Sequence, residues 1–194
     1  MLTGCSLPQS HAAPPTSTTS PTSAPSAASD GCAATDVPLV TLEPTADDEP
    51  KLAVPAPQGW EYSGEMNSPL IRGAVANVGL RAKGFTPNAV VTLEDLAGRV
   101  QSAQEGVDAE VASVEDGGLP VESRTAGTLC GHPSTTITYT LQSRPVTALI
   151  AVAEDGPKIW AAVLTIQTAE PDNPAFVDAK KAIMDGFQFV PRKH

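Results

Sequence analysis

The sequence predicts an α+β fold: helices flanking a mostly antiparallel sheet in an α/β/α sandwich, carried behind a low-complexity N-terminal segment. Three observations predict it. Residues 146–153 and 159–168 are apolar on both faces, as strands in the middle of a covered sheet are, and Glu154-Asp155-Gly156-Pro157 between them supplies turn chemistry for an antiparallel hairpin. Two other stretches place apolar residues at helical spacing. Residues 1–30 resemble the rest in nothing, which leaves residues 31–194 for one core of ordinary domain size.

In chain order, the domain opens with a loop-rich entry, because Pro38, Pro44, Pro50, Pro55 and Pro57 interrupt any long element. Residues 51–54 read as a short edge strand. Residues 71–80 read as a strand weakened by two glycines, with Arg72, Ala74, Ala76 and Val78 on one face. Residues 88–96 form the next, Val91 and Leu93 facing away from Val90 and Thr92, and Gly98 closes it. Over residues 101–116, Val107, Val111 and Val114 share one helical face, and Gly117-Gly118 ends the helix. In residues 135–141, Ile137, Tyr139 and Leu141 alternate with threonines, the pattern of a half-buried strand. On the strand at 159–168, Ile159, Ala161 and Val163 face one way and Trp160, Ala162, Leu164 and Ile166 the other. The last helix has Asn173 as cap, Pro174 at its first position, a buried stripe of Phe176, Ala179, Ile183 and Met184, and Gly186 just past its end. A strand at 187–190 precedes a basic C-terminus.

The N-terminus reads Met1-Leu2-Thr3-Gly4-Cys5, and Leu-Thr-Gly-Cys has the form of a bacterial lipobox, in which the cysteine is lipidated and the preceding signal removed. We therefore expect residues 1–5 to be the remnant of a lipoprotein signal, with its charged and apolar regions supplied upstream, and Cys5 to carry the lipid. Two or more acyl chains there give stable anchoring where one is marginal. Residues 6–30 are almost all Ser, Thr, Pro and Ala, too poor in apolar surface to offset their ordering entropy, so they are expected to form a disordered tether. Such a length reaches roughly 30 Å as a flexible coil and about 80 Å if fully polyproline-like.

Three cysteines in an exported chain leave an odd one, and a lipid on Cys5 removes the oddness. Cys32 and Cys130 are then the remaining pair. Cross-linking residues almost a hundred apart contributes on the order of 4 kcal/mol in the chain-entropy model. Two buried free thiols in a cytosolic chain are the alternative.

The formal net charge is −10, and residues 1–30 contribute only Asp30 to it, so the acidic surface belongs to the domain and disfavours nucleic acid as a partner. Asp47, Asp48 and Glu49 read as a solvated loop. No apolar run is long enough to span a bilayer. Catalytic motifs are missing: there is no G-x-S-x-G elbow, H-E-x-x-H or phosphate-binding loop, and neither a catalytic residue, a metal nor a cofactor is expected. Of three histidines, His11 lies in the tether and His194 at the C-terminus. His132, in Cys130-Gly131-His132-Pro133, reads as part of a strand-to-strand turn beside the disulfide, with assembly into a distant triad as the alternative. Glu94 and Asp95 point to opposite faces of a strand and make no carboxylate pair. Trp160 reads as core. Trp60 reads as sealing the end of a sheet, with a ligand groove as the alternative.

The lipobox, the tether, the strand running into Pro55-Ala56-Pro57-Gln58-Gly59-Trp60, the Leu129-Cys130-Gly131-His132-Pro133 turn before a Thr/Tyr strand, and the closing helix with Phe176 together resemble the LpqN/LpqT family of actinobacterial cell-envelope lipoproteins, over residues 50–190. The resemblance implies a Mog1/PsbP-like fold, a place at the outer face of the cytoplasmic membrane, and a non-enzymatic accessory role in envelope lipid transport or biogenesis. Partner proteins or acylated sugars would be bound. Two functions follow as expectations: a binder of envelope lipid or acylated ligand, and a scaffold that docks on another envelope protein without a small ligand.

Overall fold

The computed structural model describes residues 31–192. Cys5, the lipobox, residues 6–30, His11 and His194 lie outside them. Ten strands and two helices follow in the order β1 (Leu39–Leu42), β2 (Lys51–Pro55), β3 (Glu61–Ser63), β4 (Ile71–Ala76), β5 (Asn88–Asp95), α1 (Ala103–Asp116), β6 (Ser123–Leu129), β7 (His132–Leu141), β8 (Arg144–Asp155), β9 (Lys158–Gln167), α2 (Pro174–Gly186) and β10 (Gln188–Val190), with a short 3-10 turn at Val78–Leu80.

Seven strands form one sheet in the order β3-β4-β5-β9-β8-β7-β6, and every neighbouring pair is antiparallel. The two runs that are apolar on both faces, β8 and β9, lie inside it, where both faces are covered. Ile159 and Ala161 of β9 join Val146, Ala148, Ile150 and Val152 of β8 and Ile137 and Tyr139 of β7 beneath α1, whose Val107 and Val111 are buried there. Gly106 brings that helix close, since a Cβ would come within 2.8 Å of Val152 Cγ1. Trp160, Ala162, Leu164 and Ile166 face the opposite way with Val91 and Leu93, under Phe176, Ala179 and Ile183 of α2.

The second face needs more than a helix. A smaller sheet, β1-β2-β10, completes its cover with Leu42, Leu52, Val54 and Phe189. Lys51–Pro55 is therefore no edge strand: it is central, paired antiparallel with β1 on one side and β10 on the other. Its partners escape a local reading because β1 is four residues between prolines and β10 comes from the far end of the chain.

Two boundaries and one whole strand also stand apart from the sequence reading. Strand β4 stops at Ala76, where Asn77 caps the 3-10 turn by accepting from Leu80 N at 3.2 Å. Gly186 is the last residue of α2, and its smallness serves contact, because a Cβ there would lie 2.8 Å from Pro55 Cγ. Strand β6 has six exposed residues and no apolar pattern to reveal it. The hairpin turns are tight. Cys130 and Gly131 join β6 to β7 with φ of 51° and 85°, the positive pair a two-residue turn requires. Between β8 and β9 the turn residues are Gly156 and Pro157.

Cys32 is joined to Cys130 across 98 residues, fixing the start of the described chain to the β6–β7 turn.

Candidate functional site

The acidic stretch read as a solvated loop contains a buried ion pair. Glu49 is 4% exposed and bonded at 2.5 Å to Arg72, itself 5% exposed. Thr45 donates to Glu49 from its backbone N–H and its hydroxyl, both at 2.7 Å, and Arg72 Nη1 donates to the carbonyls of Ser68 and Pro69. One carboxylate thus ties the β1–β2 loop to the β3–β4 loop. The sequence signal was the single Arg in a strand otherwise without charge.

At the β3 edge of the large sheet, beside the end of β4, lies an open cleft of about 510 Å³. Tyr62 and Val78 bring apolar surface to it and are 46% and 73% exposed. Glu61, Ser63, Glu65 and Asn77 supply polar groups. Close packing fixes Tyr62 and Asn77. The Tyr62 ring lies over Gly73, where a Cβ would meet it at 2.8 Å, and its hydroxyl accepts from Asn67 Nδ2 at 3.0 Å. Gly59, with φ of 82°, leaves room for Asn77, whose Nδ2 stands 3.0 Å from the place of a Cβ. Asn77 is 7% exposed and spends its carbonyl on the 3-10 turn. In the loop between β3 and β4, Met66, which follows Glu65 of the cleft, and Leu70 are 49% and 48% exposed.

Trp60 follows Gly59 but turns inward, 4% exposed, with its ring 6.4 Å from that of Phe176. It seals the core, and its neighbour Gly59 lines the cleft. Trp160 is core, with Lys158 over its ring. His132 stands elsewhere, in a smaller cleft of about 220 Å³ with Glu154, Asp155 and Arg192. Burial holds His132 below its ordinary pKa, and its ring packs 5.8 Å from Phe189. Glu154 already accepts from Ala103 N at the start of α1. Glu94 pairs with Arg99 and Asp95 with Lys158. Among the described residues no group of three His, Cys, Asp or Glu is placed to hold a metal, and no helix is long and apolar enough to cross a membrane.

The family model described as "Probable lipoprotein LpqN" matches residues 30–190. The chain belongs to the Lpp-LpqN family. Among solved structures, LpqN of Mycobacterium tuberculosis, described as involved in cell envelope biogenesis, is similar at 16% identity and a TM-score of 0.60, over 80% of this chain and 92% of that one. That likeness shows a shared fold, the one the LpqN resemblance implied. The Ran-binding protein Mog1p of Saccharomyces cerevisiae matches at 8% identity and a TM-score of 0.46, over 80% of this chain and 97% of that one. A putative regulator from Pseudomonas aeruginosa matches at 16% identity and 0.43, over 80% and 99%. No curated protein sequence matches this Lpp-LpqN chain.

Proposed function

We propose that this Lpp-LpqN protein is a cell-envelope lipoprotein, anchored through a lipid on Cys5, that acts without catalysis by holding an envelope amphiphile in the cleft at Tyr62, Asn77 and Val78. Family membership supports the lipoprotein reading, and the M. tuberculosis relative's involvement in envelope biogenesis supports the setting. The observation that carries the ligand is the composition of the cleft. An apolar rim beside hydrogen-bonding groups suits a polar head attached to an acyl chain, and a volume of about 510 Å³ falls in the range of small-molecule sites. Glu61 and Glu65 favour an uncharged head over an anionic one. His132 supports a non-catalytic role, since it packs against Phe189 outside the cleft. Exposed Met66 and Leu70 in the β3–β4 loop favour a second reading, docking on another envelope protein.

Native mass spectrometry of the protein purified from its own host separates the two. A co-purifying lipid that disappears in Val78→Glu supports the first; a bare protein, or a lipid retained by the variant, refutes it. For the anchor, Cys5→Ala behind a complete export signal is expected to move the protein from the membrane to the soluble fraction, and unchanged membrane retention would contradict it.

A further inference from the structure

The two outer strands of the large sheet differ. Strand β3 has three residues, and shortness protects an edge. Strand β6 has seven, paired without interruption from Ser123↔Thr138 to Leu129↔His132, and among the described residues it pairs only with β7. It contains no proline and no bulge. Its one charge, Arg124, is turned back onto Asp108 of α1. A long edge with none of the usual guards offers its outer N–H and C=O groups to another extended strand.

The surroundings of β6 leave room for one. Helix α1 packs on β7, β8 and β9, which keeps its bulk back from the edge. On the opposite face, a groove of about 380 Å³ lies between β6 and the end of α2, with Leu129, Leu149 and Met184 as its apolar lining. Gly127 keeps the groove open: only Ser134 Oγ, at 3.5 Å, comes within 4 Å of the place of a Cβ.

Charge decides the occupant. The chain carries a formal net charge of −10, and two copies repel wherever their carboxylates meet. At this edge they do not meet: β6 has no acidic residue, and Asp185, the one carboxylate among the residues lining the groove, is paired with Lys181. The strand also matches itself. Laid antiparallel against a second β6 about a two-fold axis at Ala126, it sets Arg124 opposite Thr128, Thr125 opposite Gly127 and Ser123 opposite Leu129. No like charges face each other, and each Thr125 meets the space left by a glycine. We propose that β6 is a homodimer edge, pairing antiparallel with β6 of a second copy so that two seven-stranded sheets become one continuous sheet.

Sedimentation of the full chain over a range of concentrations tests this, in a Cys5→Ser background that removes the one cysteine outside the disulfide. A contact confined to one strand and its groove belongs with small, weak interfaces, so a passage from monomer to dimer is expected between about 1 and 100 µM. Ala126→Lys sets two lysines face to face at the axis and Ala126→Glu two glutamates, on a side chain that is exposed in the monomer. Each variant alone is expected to dimerise about tenfold more weakly or worse, and an equimolar mixture of the two to recover a dimer, which a folding defect would not give. Amide exchange of residues 123–129 with Ala126 in place is expected to slow as concentration rises, with β9 unchanged. A chain that stays monomeric across this range overturns the proposal. So does a dimer that neither variant weakens, or protection of residues 123–129 that does not depend on concentration, which would give the edge another occupant.

Discussion

The two faces of the seven-stranded sheet are covered in different ways, and the difference explains where the molecule keeps its special chemistry. On one face a single helix suffices. Cover by α1 is aliphatic, continuous in sequence and drawn close by Gly106. The opposite face takes α2, a separate sheet from two distant parts of the chain, a disulfide and both tryptophans. A cover assembled from several pieces leaves seams. The clamp of Glu49 and Arg72 and the cleft at Tyr62 both lie at its margins.

The composite cover depends most on the clamp. Arg72→Ala leaves Glu49 buried without its partner and is expected to destabilise the fold by about 3–5 kcal/mol in chemical denaturation. Val107→Ala, on the face covered by one helix, is expected to cost about 1–3 kcal/mol. Equal losses would mean that the composite cover is no more dependent on its seams than the simple one. Next comes the cross-link: replacing both Cys32 and Cys130 with Ala is expected to remove about 2–4 kcal/mol, read as a lower denaturation midpoint.

Legibility follows the same division. The strands β5, β7, β8 and β9 and both helices were readable because each buries a face whose period is set within the element itself. Sequence separation hid the small sheet: nothing local to Lys51–Pro55 says that residues 188–190 will pair with it. Strand β6 was hidden because an exposed edge carries no burial pattern. Of the cleft, Gly59 was legible as part of a conspicuous motif, though attention fell on Trp60, the residue that turns inward. Glu49 was masked by Asp47 and Asp48, which made a buried group look like part of a charge run.

The smallest expected effect is on pH dependence. Burial alone would raise the pKa of Asp95, and hydrogen bonds from Lys158, Ala97 N and Ile159 N outweigh it, so the carboxyl sits below its ordinary value. A depressed carboxyl adds stability that is present above its unfolded pKa, about 3.9, and lost as pH falls through the folded one. Asp95→Asn should therefore be less stable than wild type at neutral pH, with the gap closing in acid. A gap that stays constant with pH would assign the effect to packing.

On the proposed function, the cleft at the β3 edge, and not the face under α1, receives an amphiphile. Titrating the isotope-labelled protein with dodecyl maltoside below its micelle concentration, and following backbone amides by NMR, tests it most directly. Saturable shifts are expected at Tyr62, Asn77 and Val78 and are abolished in Val78→Glu. Saturable shifts confined to α1 and the strands beneath it, or none at the cleft, would contradict it.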